Sequence, residues 1–268
     1  MIDNYAQLLD KMQGRNAMTI VLAGIDDGSV AALDEAKQLW GIDYIGTDDA
    51  KRAVELIKQG KGNVLMKGSM PTGELLKAVV CKENGIGLGG LMSHIAAFEC
   101  LKYHKLLFVT DGGMVTAPNL EQKTLILKNS LDFMRKLGYI QPKIAAICAA
   151  EAVSPKIPET VDAQELANRA KNGDFGDCIL EGPISFDLAI SKKSAEKKGF
   201  ISQIAGEVDL CLAPNIATGN VLGKVLMYMA DAKMAGCVLG AKVPIVLTSR
   251  GASSEEKMLS MALALAAK

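Results

Sequence analysis

Lys242-Val-Pro-Ile-Val-Leu-Thr-Ser-Arg250-Gly-Ala-Ser-Ser-Glu-Glu-Lys257 is the stretch on which the reading of the fold turns. Residues 244–247 are a short apolar run that reads as a buried strand, and a helical segment begins near Ser253. Between them stand Thr248, Ser249 and Arg250, followed within a turn by Glu255 and Glu256. In open α/β sheets, ligands bind beyond the carboxyl ends of strands, beside helix N-termini whose free N–H groups favour anions. Hydroxyls, a guanidinium and two carboxylates thus share one such strand end, and the rest of the chain is to be read as what surrounds it.

Working outward, the same strand–loop–helix order recurs. Residues 18–23, 43–46, 63–66 and 105–110 read as strands, with helices over 48–59, 73–82 and 120–137 and another reaching about Trp40. After Gly138 the pattern restarts, with strands at 143–148, 177–180, 208–213 and 236–239 and helices at 161–171, 220–234 and 253–267. Lys143-Ile-Ala-Ala-Ile-Cys148 has no polar alternation, as a parallel strand covered on both faces requires. Residues 85–99 read as a loop and a strand, and Pro71 suits a first helical turn. Such alternation predicts an α/β fold with mostly parallel sheets, and 138–142 is the expected first crossing between domains.

Composition narrows the function. Lys plus Arg and Asp plus Glu number 30 each, so no bulk basic field draws the chain to nucleic acid. Aromatic residues make up 4%, which disfavours base-stacking platforms. Six cysteines lack any CxxC pair and mostly lie in apolar runs, the pattern of buried reduced thiols in a cytoplasmic protein. His94 and His104 are too few and too oddly spaced for zinc. The first residues lack a charged segment followed by an apolar core, and no apolar run reaches membrane-spanning length. The expectation is a soluble cytoplasmic protein with neither nucleic acid nor membrane as partner.

Each candidate site follows a predicted strand. Lys67-Gly68-Ser69 lets backbone approach an anion with Lys67 as countercharge, although GxxxxGK[ST] is absent. Gly87-Leu-Gly89-Gly90 lacks the GxGxxG spacing of a dinucleotide site. Asp111, before Gly112-Gly113, is a site carboxylate or part of a tight turn. Asp187, after Gly182-Pro183, is a site carboxylate or a helix N-cap. Asn215 through Gly219 and Asn220, with Lys224 one turn on, suits a phosphate or a carbonyl at a helix N-terminus, unless Asn220 only caps the helix. Ser253-Ser-Glu-Glu256 also matches the S-x-x-E capping box. Ser249 has no GxSxG surround and no nearby histidine, which argues against a serine-hydrolase triad. Arg250 can clamp a phosphate bidentately, as lysine cannot.

Taken together, several segments carry a resemblance. They are Leu65-Met-Lys-Gly68 with 72–79, Leu107-Phe-Val-Thr-Asp111 with Ala117-Pro118, and Glu181-Gly-Pro-Ile-Ser-Phe-Asp187. Pro214-Asn-Ile-Ala-Thr-Gly-Asn220, Ala230-Asp-Ala-Lys233 and Gly240-Ala-Lys-Val-Pro-Ile-Val-Leu-Thr-Ser-Arg250 follow in order. As a set they resemble the phosphate acetyl/butyryltransferase family, its butyryl branch in particular. The resemblance implies two α/β/α domains of the isocitrate/isopropylmalate dehydrogenase-like kind, with the active-site cleft between them. Residues 1–139, completed by 249–268, would be the first domain and 140–248 the second, in a homodimer or higher homo-oligomer.

The implied reaction is reversible transfer of a short-chain acyl group, butyryl preferred, between CoA and inorganic phosphate. It needs no metal, cofactor or covalent enzyme intermediate: CoA and phosphate are substrates, met directly in a ternary complex. Such a reaction calls for a positioned thiol and carbonyl, a base for the thiol proton and cations for phosphate. The acetyl branch places a serine and an arginine where this chain has Ser249 and Arg250. Its basic aspartate, seven residues beyond that serine, matches Glu256, with Glu255 and Asp111 as other choices of base. An arginine of that branch corresponds to Lys77. Lys67, Gly68, Asp111, Asp187, Asn215, Gly219, Asn220 and Lys224 would line the cleft. Alternatives are a phosphate acetyltransferase, an NAD(P)-dependent β-decarboxylating dehydrogenase-like enzyme and a non-catalytic CoA- or acyl-phosphate-binding regulator. The metal-binding aspartates of such a dehydrogenase are not evident in the sequence.

Overall fold

The structure, a computed structural model, describes residues 1–14, 17–249 and 251–268. The chain begins with α1 (Tyr5–Met12), β1 (Thr19–Ala23), α2 (Asp27–Trp40), β2 (Asp43–Thr47), α3 (Ala50–Lys58), β3 (Val64–Lys67) and α4 (Thr72–Val79). It continues through β4 (Ser93–Glu99), β5 (Leu107–Thr110), α5 (Leu120–Lys136), β6 (Lys143–Ile147), α6 (Pro158–Lys171) and β7 (Ile179–Ile184). Next come α7 (Phe186–Ile190), α8 (Lys192–Lys198), β8 (Leu210–Leu212) and α9 (Ile216–Met229). It ends with β9 (Lys233–Leu239), β10 (Ile245–Val246) and α10 (Ser254–Ala266). Two compact units result: Ile2–Met92 with Lys233–Lys268, and Met1 with Ser93–Ala232.

In the unit formed by Ile2–Met92 and Lys233–Lys268, the strands lie in the order β2-β1-β3-β10-β9. All neighbours are parallel except β9, which runs antiparallel to β10. The apolar runs of β1 and β3 are buried almost throughout, as parallel strands between helices must be. α10 explains why the end of the chain returns here. Met258 through Ala266 are all buried, and a helix apolar all round can only sit inside a core. Its single hydroxyl there, Ser260, is satisfied by accepting the Gly236 N–H at 3.1 Å.

The other unit orders its strands β4-β5-β8-β6-β7. β5, β8, β6 and β7 are parallel, and β4 is antiparallel to β5. α5 starts at a capping box in which the Asn119 side chain accepts from Gln122 N–H and the Gln122 side chain accepts from Asn119 N–H. At the amino ends of the strands, Lys105 Nζ lies 2.6 Å from Asp209 Oδ1, both side chains buried. Asp209 Oδ2 also accepts the Lys143 N–H at 2.7 Å, so one carboxylate ties β6 to the segment leading into β5.

The α/β class with mostly parallel sheets is as expected, but the division of the chain is not 1–139 with 249–268 against 140–248. β5 hydrogen-bonds to β8, which puts 107–110 in the later unit, and β9 and β10 join β3, which brings the return forward to Lys233. α4 ends at Val79, short of residue 82, and Pro71 is its N-cap, one place before the first turn. Among the described residues no helix is long and apolar enough to cross a membrane. The thiols are all free, but Cys81 is exposed, whereas Cys100, Cys211 and Cys237 are buried.

Candidate functional site

In the unit of Ile2–Met92 and Lys233–Lys268, β1, β3 and β10 finish side by side. Ala23 pairs with Lys67 and Met66 with Val246, so the strands deliver Gly24, Gly68 and the residues around Thr248 to one edge. The two glycines let their loops touch. A Cβ at Gly68 would collide with the Gly24 carbonyl oxygen and lie 2.6 Å from Asp26 Oδ2. Asp26 caps α2, its Oδ1 accepting the Ser29 N–H at 2.9 Å. Lys257 reaches the same place, its Nζ 3.0 Å from where a Cβ on Gly28 would stand. The loop after β1 and Lys257 were not among the sequence candidates, because neither carries a motif and only the strand pairing places them here.

Ser249 is exposed beyond β10, its Oγ accepting the Gly251 N–H at 3.3 Å. Arg250 lies outside the described residues. Ser253 is the N-cap of α10 and accepts the Glu256 N–H at 3.1 Å, so that half of the capping-box reading is met. The two glutamates then diverge. Glu255 is exposed and ion-paired to Lys233 at 2.6 Å. Glu256 is half-buried, and burial raises its carboxyl pKa above the ordinary glutamate value. Lys67 is not a solvated countercharge: it is buried, and its Nζ donates to the Gly68 carbonyl at 2.8 Å. Lys77 is exposed in the last turn of α4, where a cation complements the helix dipole.

In the other unit the strand ends of β5 and β8 meet the start of α9. Asp111 is buried and its carboxylate accepts four backbone N–H groups, from His94 (3.0 Å), Gly113 (2.8 Å), Met114 (2.8 Å) and Val115 (3.3 Å). Both oxygens thus hold the turn, the other of the two readings of this residue. α9 begins at Ile216, four residues earlier than expected, and its N-cap is Asn215, not Asn220. Asn215 Oδ1 accepts the Thr218 N–H at 2.9 Å and the Thr218 hydroxyl at 3.1 Å. Gly219 is a contact residue inside the helix, where a Cβ would lie 2.6 Å from the Asp111 carbonyl oxygen. Asn220 Nδ2 donates to the Gly112 carbonyl at 3.1 Å, and Lys224 is exposed further along.

The structure thus gathers Asp111, Asn215, Gly219 and Asn220, and adds His94, whose imidazole lies against Gly113. Asp187 belongs to a different cluster. It stands in the first turn of α7, whose N-cap is Ser185. Ser185 Oγ is 2.5 Å from Glu151 Oε1 and 2.7 Å from Asp187 Oδ1, and Lys198 Nζ lies 3.3 and 3.2 Å from the same two side chains. Hydrogen bonding from Ser185, then Lys198, lowers the pKa of both carboxyls. Asp187 is therefore neither a cap nor an unengaged carboxylate. Among the described residues, no three His, Cys, Asp or Glu side chains are grouped to hold a metal ion.

Strand ends that carry Ser249, Glu256, Lys67 and Gly68 in one unit, and Asn215, Gly219 and Asn220 in the other, lie inside the span matched by one family model. That model, Phosphate acetyl/butaryl transferase, covers residues 41–265. The chain belongs to this family. It is 43% identical over 215 residues to the phosphate butyryltransferase of Clostridium acetobutylicum, covering 80% of this chain and 71% of that one. It is 35% identical to the phosphate acetyltransferase of Thermotoga maritima over 91% of this chain and 84% of that one. A solved branched-chain phosphotransacylase from Enterococcus faecalis V583 matches with a TM-score of 0.83 at 31% identity, covering 93% of this chain and 98% of that structure. Family membership thus answers the expectation raised by the ordered motifs.

Proposed function

We propose that this protein reversibly transfers a short-chain acyl group, butyryl in preference to acetyl, between CoA and inorganic phosphate. The observation that carries this reading is the family match over 41–265, with 43% identity to a phosphate butyryltransferase. In the direction of acyl-CoA formation, Glu256 takes the CoA thiol proton as sulfur attacks the acyl phosphate. A carboxyl with a raised pKa suits that task, because a base works best when its pKa approaches the operating pH. Glu255 is held by Lys233 and Asp111 by four amides, which favours Glu256 over both. Ser249 orients the thiol or the acyl carbonyl and Arg250 binds phosphate; in the other unit, Lys224 and the start of α9 are a second region that favours an anion.

A thioester or acyl phosphate carbonyl is already electrophilic, so the reaction as read calls for no metal or redox cofactor. We place the enzyme in the cytoplasm, where acyl-CoA is available, and read it as a homo-oligomer. A mainly apolar α9 supports the oligomer: it buries only Gly219 and Gly223 and leaves Tyr228 76% and Met229 81% exposed.

The test is phosphate-dependent release of CoA thiol from a series of acyl-CoAs of two to six carbons. Butyryl-CoA is expected to give the highest kcat/KM. A maximum at acetyl-CoA would make the protein a phosphate acetyltransferase, and release from none of them would remove the reading.

A further inference from the structure

Three helices of the unit formed by Ile2–Met92 and Lys233–Lys268 border an open cleft of about 480 Å³, a volume within the range of small-molecule sites. α1 contributes Leu9, α2 contributes Glu35, Leu39 and Trp40, and α10 contributes Glu255 and Leu259. Trp40 and Leu259 are buried, whereas Leu39 is 59% exposed and keeps apolar area that an occupant would cover. Glu35 precedes Leu39 by four residues on α2, and Glu255 precedes Leu259 by four on α10. Residues four apart share one helix face, so each of these walls sets a carboxylate one turn from an apolar side chain.

Charge narrows the choice of occupant. Among the described residues that line the cleft there are two carboxylates and no lysine or arginine. Glu255 is partly neutralised by Lys233 at 2.6 Å, but Glu35 makes no ion pair among the described residues. The nearby lysines of α2 and α10 are placed elsewhere: Lys37 Nζ lies 2.7 Å from Asp43, and Lys257 Nζ stands against Gly28. CoA, phosphate and acyl phosphate are anions, and a cleft edged by carboxylates disfavours them. A cation with an apolar body, by contrast, finds both of its parts matched.

We propose that this cleft binds a small primary amine in its ammonium form, its aliphatic or aromatic body against Leu39, Trp40 and Leu259 and its charge beside Glu35. The ammonium group offers three donors to the carboxylate, and the body displaces water from the apolar wall. Binding there uses neither Ser249 nor Glu256 and so does not depend on the acyltransferase reading.

Trp40 is the chain's single tryptophan, so its fluorescence reports occupancy of the cleft without a label. The experiment titrates the full chain with hexylammonium, hexan-1-ol and hexanoate, which share one apolar body and differ in charge. Hexylammonium is expected to bind about tenfold tighter than hexan-1-ol, the effect of one to two partly exposed charge pairs. Hexanoate is expected to bind more weakly than the alcohol. Glu35→Gln is expected to weaken hexylammonium about fivefold and leave hexan-1-ol unchanged. Leu39→Ser is expected to weaken both about tenfold, through lost apolar contact. Glu35 and Leu39 are both exposed, so neither substitution opens the core. Trp40 fluorescence unmoved by all three compounds overturns the proposal. Hexan-1-ol binding as tightly as hexylammonium would mark the cleft as merely apolar, and hexanoate binding as tightly would mark it as an anion site; either result overturns the proposal, as does an unchanged hexylammonium affinity in Glu35→Gln.

Discussion

Glu255 Oε1 lies 2.6 Å from Lys233 Nζ, and the glutamate that follows it makes no such pair among the described residues but is half-buried at the start of α10. Neighbours in sequence thus have different chemistry. Glu255 is a solvated partner in an exposed ion pair, worth under about 1 kcal/mol. Glu256 is a carboxyl whose proton affinity has been raised by lost solvent. Glu256→Gln is expected to lower kcat about 10²–10⁴-fold, the range of general base catalysis. Glu255→Gln is expected to stay near wild type in the same thiol-release assay. The reverse ranking would transfer the base to Glu255.

The raised pKa of Glu256 also has a consequence for stability. Folding favours the protonated carboxyl, so its contribution is fully present below the unfolded value of about 4.3 and is lost as pH rises through the higher folded value. Glutamine cannot ionise and escapes that loss. Glu256→Gln is therefore expected to gain melting temperature relative to wild type as pH rises from 4 to 8, on the order of those limits. A difference that is flat or shrinks with pH would show that burial does not disfavour the charged carboxylate.

The parts of the fold legible in the sequence are those set by local pattern. β6 is a run of apolar residues, and Ser253 and α10 carry their cap signal and apolar face in consecutive positions. α7 and α8 were not legible, because helices of 5 and 7 residues, one of them Lys-Lys-Ser-Ala-Glu-Lys-Lys, show no apolar stripe. The start of α9 misleads because Gly219 normally marks a position outside a helix, whereas here it permits contact with Asp111. For the site, Ser249 and Glu256 follow a strand by spacing alone. The His94 amide on Asp111 and the packing of the His94 ring on Gly113 depend on β4 lying antiparallel to β5, which no local pattern encodes, whereas the other three amides on Asp111 are local and match its turn reading.

α9 offers the clearest exposed apolar face. Val221, Val225, Tyr228 and Met229 recur at helical spacing and are all exposed. If a second copy of the chain covers this face, Tyr228→Glu combined with Met229→Glu places two charges in the interface and is expected to give monomers in sedimentation velocity, with the wild type sedimenting as a dimer or larger. Wild-type monomers, or an oligomer unaffected by both charges, would remove α9 from the interface.

Lys105 and Asp209 are a different kind of pair from Glu255 and Lys233, because their side chains are only 8% and 5% exposed. Lys105 Nζ also donates to the Glu207 carbonyl at 2.8 Å, and Asp209 also accepts from Lys143. Asp209→Ala leaves the ammonium only the longer, 3.9 Å contact to the half-exposed Glu207 carboxylate, and the Lys143 amide without its acceptor. Removing one partner of a buried pair costs about 3–5 kcal/mol, far more than the net worth of the intact pair. Lys105→Met combined with Asp209→Leu removes both charges and is expected to be less destabilising than Asp209→Ala alone, though the lost amide contact prevents full recovery. Denaturant unfolding of the three proteins measures this order. A loss below about 1 kcal/mol in Asp209→Ala, the range of an exposed pair, would show that water reaches the charges.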